Sequence, residues 1–133
     1  MVRLADCFDT LHPMNHKPAA TFVATLLHSA TVAHLMHLQT KSYATHVALG
    51  DYYDAIVGLV DKYAEAYQGC YAIIDEYPAT FPVAKEPKGY FKRLYEFVDA
   101  ARKTLPKESH LDNIADEISE LIDSTRYKLN NLS

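Results

Sequence analysis

Between His34 and Glu65 the chain gathers seven side chains able to bind a metal or move a proton: His34, His37, His46, Asp51, Asp54, Asp61 and Glu65. Imidazole nitrogens mixed with carboxylate oxygens make a donor set for a divalent transition metal such as iron, zinc or manganese. Each residue taken singly has a plainer reading. A histidine on an apolar helix face is commonly a satisfied core residue, and an Asp/Glu pair four residues apart is commonly a solvated face. Their grouping across a helix break gives the set its weight.

The elements that must position these residues are helical. Pro18 suits a first helical turn, where its missing N–H costs nothing. The stretch 18–40 is rich in Ala and Leu, without a glycine or a further proline. At helical spacing Phe22, Val23, Leu26, Leu27, Ala30 and Leu38 gather on one face, with His34 and His37 in the same arc and His28 away from it. Ser42 or Thr40 is placed to cap a second helix over 43–77. There Leu49, Tyr52, Tyr53, Ile56, Leu59, Val60, Tyr63, Tyr67, Tyr71 and Ile74 form a broad stripe. Asp54, Asp61 and Glu65 line a different face, more than about 100° from its middle. They therefore point to solvent or to a second subunit. Gly50, Gly58 and Gly69 interrupt this helix and suggest a close backbone approach or a kink. Three prolines in 77–88 make the main connection. A third helix is expected over 89–104, with Phe91, Leu94, Tyr95 and Val98 inward. A fourth is expected over 110–131, opened by a Ser109/Asp112 capping box. The expected fold is one all-α four-helix domain with a long proline-containing connection between helices 2 and 3, the ferritin-like arrangement.

Several classes are disfavoured. At 133 residues the chain forms one domain, and a net charge of -4 argues against general DNA binding. No apolar run reads as a membrane span, and the N-terminus lacks the apolar core of a secretory signal. Cys7 and Cys70 are too few for a disulfide framework. Cys70 reads as a small buried hydrophobe, and a reduced cytoplasmic setting is the default. The stretch 1–17 reads as irregular, with His12 and His16 in solvated loop. The tyrosines, 10 in all, read as packing at bundle and subunit interfaces rather than as a radical relay.

The order His34, His46, Asp61, Glu65 resembles the metal-site pattern of the Dps family, the miniature ferritins. The resemblance is specific within residues 34–65 and covers most of the chain only as helix order. It implies four-helix subunits in a hollow dodecamer built from dimers, with Fe(II) oxidised and stored between subunits. The histidines would come from one subunit and Asp61 with Glu65 from another. Glu65 would bridge metals, and Asp61 would orient or ligate. The pattern departs at Gly50, where the family usually has Asp, and at Leu35, where it often has Trp. His37, Asp51 and Asp54 are the candidates to replace the missing carboxylate. No lysine-rich tail for DNA is present, and the divergence suggests a phage-encoded relative. Two other readings stand beside this one: a ferritin-like structural or interaction protein with a lost metal site, and a helical adaptor whose carboxylate row binds a basic partner.

Overall fold

The computed structural model describes residues 15–132. The expected irregular N-terminal stretch, with Cys7 and His12, lies outside them up to Asn15. Four helices follow: α1 (Lys17–Gln39), α2 (Tyr43–Cys70), α3 (Pro87–Arg102) and α4 (Ser109–Asn131). There is no strand among the described residues, and the four pack as an all-α bundle.

Ring contacts fix the directions. α1 and α2 run antiparallel, because His37 meets His46 near their joint while Phe22 meets Tyr63 and His16 meets Tyr67 further along. α4 is antiparallel to α2: Asp51 reaches Lys128, Lys62 reaches Glu117, and Tyr71 bonds Glu108. α3 is parallel to α2, since Phe91 lies against Tyr52 while Phe97 lies against Phe22 at the level of Tyr63. The connection over 71–86 therefore travels the length of the bundle, giving an up–down–down–up order. Burial of Phe22, Leu26, Tyr52, Ile56, Tyr63, Phe91, Ile118 and Ile122 forms the core. Each such side chain contributes about 1.5–3 kcal/mol over its exposed state.

The helix ends follow local chemistry. Ser42 caps α2 by accepting the Thr45 N–H at 3.2 Å. α2 stops at Cys70, short of the expected Tyr77, as the Gln68 side chain takes the Ile74 N–H at 2.8 Å and turns the chain. α3 begins at Pro87, two residues early, with Glu86 accepting the Lys88 N–H at 3.0 Å. The Ser109/Asp112 capping box does not form. Glu108 holds the cap position, and Asp112 instead receives Arg102 at 2.9 Å, as Asp116 does at 2.6 Å.

The core face of α1 also differs from the expected one. Phe22, Val23 and Leu26 are buried as read, but Leu27, Leu38 and His34 are exposed, while Ser29, Ala33 and Met36 are buried. Small Ala33 admits close packing. The Ser29 hydroxyl is satisfied by the Leu26 carbonyl at 2.6 Å and the Tyr52 hydroxyl at 2.7 Å, so this polar residue sits inside without penalty. On α3, Tyr95 is exposed beneath the Arg126 guanidinium, 4.8 Å from its ring centre, and not part of the inward face. The expectation that no segment matches a membrane span also needs correcting. α1 is long and apolar enough by length and composition, yet more than half of that apolar window is buried inside the bundle. A core helix meets the same test.

Candidate functional site

The α1–α2 corner brings His34, His37 and His46 into one aromatic row. The His37 and His46 rings stack with centroids 3.5 Å apart, His34 lies 5.8 Å from His37, and His34 stacks on Tyr53 at 4.2 Å. The Nδ1–H of His37 donates to the His46 carbonyl at 2.6 Å, and the Nδ1–H of His46 donates to the His37 carbonyl at 2.8 Å. A carbonyl only accepts, so both Nδ1 atoms carry the proton. In the neutral rings each Nε2 is left with its lone pair, the tautomer that a metal-binding imidazole adopts. The His46 donation also occupies a carbonyl in the last turn of α1, a place where carbonyls lack partners. Face-to-face rings direct their in-plane lone pairs side by side, which is poor geometry for chelating one ion.

The carboxylates lie elsewhere on the same hairpin. Asp54, Asp61 and Glu65 are exposed, as their helical phase requires, and form no ion pair among the described residues. Asp51 is exposed too, but pairs with Lys128 at 3.6 Å. From His46 to Asp61 the separation along α2 is about 22 Å at 1.5 Å per residue. One chain therefore does not bring His34 and His46 to Asp61 and Glu65. Among the described residues no group of three His, Cys, Asp or Glu side chains is arranged to hold a metal ion.

Gly50 has a steric reason inside the subunit. A Cβ there would stand 3.3 Å from His37 Cε1 and 3.4 Å from its Nδ1. The imidazole occupies the space that an aspartate at this position would need. Gly58 and Gly69 differ, because a Cβ at either meets nothing within 4 Å. Of the close approach or kink expected there, the close approach is absent among the described residues. Gly58→Ala should therefore stabilise the subunit by about 1 kcal/mol through helix propensity. Gly50→Ala should forgo that gain, because His37 is held by both a stack and a hydrogen bond. Urea unfolding of the two variants measures the difference, and equal gains would mean that the His37 ring moves freely.

A second polar cluster escaped the sequence reading. Tyr63 and Tyr67 on α2, and Tyr71 just past its end, ascend toward Glu108. Tyr67 meets His16 Nδ1 at 2.7 Å, and Tyr71 donates to Glu108 Oε1. Tyr63 and Glu108 are both buried, yet the Tyr63 hydroxyl and Glu108 Oε2 have no partner among the described residues. Burial, then the neighbouring Tyr67 and Glu108, pushes the Tyr63 hydroxyl above its ordinary range, and burial followed by Glu108 raises Tyr71. The tyrosine spacing was visible as part of the stripe. Glu108 was not, because it sits in a polar stretch after Pro106 that gives no cue to burial. Nearby, Cys70 is disulfide-bonded. It is neither a free thiol nor the inert buried hydrophobe expected.

A family of unknown function (DUF5856) matches residues 37–129, and the chain belongs to it. No curated protein and no solved structure matches the chain.

Proposed function

We propose that this member of DUF5856 is a Dps-like, self-associating iron protein that binds and oxidises Fe(II) at sites completed between copies. The observation that carries this reading is the outward face of the α1–α2 hairpin. It presents ligand-ready histidines at one end and Asp61 and Glu65, free of ion pairs, at the other. An antiparallel pairing of two α2 helices about an axis beside Asp54 would bring His46 of one copy to Asp61 and Glu65 of the next. Leu35, Leu38, Tyr43, Val47 and Val57 are exposed on the same hairpin and supply apolar surface for such a contact. Gly58, within about one turn of that axis, would let the backbones approach. The up–down–down–up order with one long crossing supports a ferritin-like assignment.

At such a site the imidazole Nε2 atoms of His34 and His46 would hold Fe(II) by nitrogen, and Glu65 would bridge. Asp61 would orient or ligate, and the carboxylates would offset the charge added as each ion gives one electron to the oxidant. His37 acts as a positioning residue for His46. Asp54 on the axis would face its own copy, so a cation there would relieve the repulsion. Asp51 is drawn away by Lys128. Zinc or manganese could occupy the same donors. A cytoplasmic location belongs to this reading. The disulfide at Cys70 pulls the other way, since disulfides persist in oxidising compartments. A free-thiol count on protein taken from a reducing lysate decides between them.

Light scattering coupled to gel filtration, with metal analysis of the same peak, tests the proposal. A mass near that of a dodecamer carrying iron is the expected result. A cage without metal would favour the structural protein with a lost site. A metal-free monomer would leave the helical adaptor.

A further inference from the structure

A cavity of about 380 Å³ lies between α1, the long crossing and the start of α3, away from the histidine corner. Its walls are mainly apolar, with Phe81, Val83, Leu94 and Phe97 prominent. No carboxylate lines it, and each polar side chain that does can donate a hydrogen bond. His28 stacks on Phe81 at 4.5 Å, and its Nε2 is buried without a partner among the described residues. Tyr90 is half-buried and makes no hydrogen bond through its hydroxyl among the described residues, and burial pushes that hydroxyl up to about 12, so it stays protonated. Arg93 forms no ion pair among the described residues. The Glu86 carboxylate, across Gly89 from Arg93, is engaged by the Lys88 and Gly89 N–H groups at the start of α3. Thr21, Thr25 and Thr80 add hydroxyls.

The buried, unpartnered His28 nitrogen is costly in an apolar wall unless a ligand meets it, and the Arg93 guanidinium stands exposed at the mouth of the same cavity. A guanidinium beside an imidazole and a phenol calls for a carboxylate, and the aromatic wall calls for an apolar body behind it. We infer that this cavity binds a small amphipathic monocarboxylate, with its head between Arg93, Tyr90 and His28 and its chain along Phe81, Leu94 and Phe97. The site is independent of the metal reading, because it shares no residue with the hairpin face.

Titration calorimetry with octanoate, octanol and octylamine on the full chain tests this. Octanoate should bind saturably, one per chain, and at least ten-fold more tightly than octanol, with octylamine weaker still. Arg93→Gln should reduce octanoate binding about ten-fold and leave octanol unchanged. His28→Leu should weaken octanoate while keeping the stack-sized bulk. Ala84→Trp, on the non-helical crossing, should fill the cavity and abolish binding of all three probes with helix content unchanged. Equal binding of octanoate and octanol, octanoate binding indifferent to Arg93→Gln or Ala84→Trp, or no saturable binding would each overturn the inference.

Discussion

Replacing His34 and His46 together by alanine is expected to abolish Fe(II) oxidation by peroxide while leaving far-ultraviolet helix content unchanged. The two residues differ in what else they do. His34 is exposed and contributes a stack on Tyr53. His46 donates from Nδ1 to the His37 carbonyl and stacks on His37. Loss of one such hydrogen bond costs about 0.5–1.5 kcal/mol, which does not unfold a bundle of this core. A loss of activity could still be blamed on a disturbed corner, so the other end of the hairpin supplies the separate arm. Asp61→Asn with Glu65→Gln touches two exposed side chains without ion pairs and should leave subunit stability within about 0.5 kcal/mol. It should remove oxidation as completely as the histidine pair does. Mixing the two inactive variants is the stronger test. A site shared between copies restores activity in mixed assemblies, because some interfaces then carry wild-type histidines facing wild-type carboxylates. A site within one chain restores none. Oxidation that survives both variants rejects the ligand assignment.

Legibility differed by element. Helix number, the break at Ser42 and the inward tyrosine stripe of α2 were readable, because apolar spacing and a hydroxyl cap act locally. The face of α1 was misread by about one strip. In an Ala-rich helix the apolar arc is wide, and packing against Tyr52 through Ser29, rather than hydropathy, chose which part turned inward. The carboxylate row of α2 was placed correctly by phase alone. Gly50 was read as a missing aspartate and as a point of close approach or a kink, but nothing in sequence shows that it is the His37 ring that fills its side. The burial of Glu108 depends on Tyr71 arriving from 37 residues away, and no local pattern encodes that meeting. Likewise, the end of α2 at Cys70 rests on the Gln68 side chain capturing Ile74 N–H, a choice that propensity does not make.

The buried tyrosines should make the protein fail steeply in alkali. Unfolded tyrosine loses its proton near pH 10. Burial raises Tyr52, despite the bond to Ser29 that acts the other way, and burial raises Tyr63 as well. Tyr90 moves up to about 12. Above pH 10 the unfolded chain has therefore released protons that the native state still holds. Stability is complete below pH 10 and falls as pH rises toward and through the folded values. Each fully buried tyrosine steepens the fall by about 1.4 kcal/mol per pH unit, so Tyr52 and Tyr63 together give roughly 2.7. Two phenylalanine variants separate titration from hydrogen bonding. Tyr63→Phe removes a hydroxyl with no partner among the described residues and should stabilise the protein at pH 7 by about 1 kcal/mol, because a buried unpaired hydroxyl is costly. Tyr52→Phe removes the bond to Ser29 and should cost about 1 kcal/mol at pH 7. Both should flatten the alkaline fall by one proton. Urea unfolding from pH 7 to about pH 11.5 reads slope and intercept separately. A slope that neither substitution changes would show that these hydroxyls titrate normally and that their burial is lost before they ionise. Opposite effects at pH 7 with the same flattening in alkali would instead distinguish the satisfied tyrosine of the core from the unsatisfied one beside Glu108.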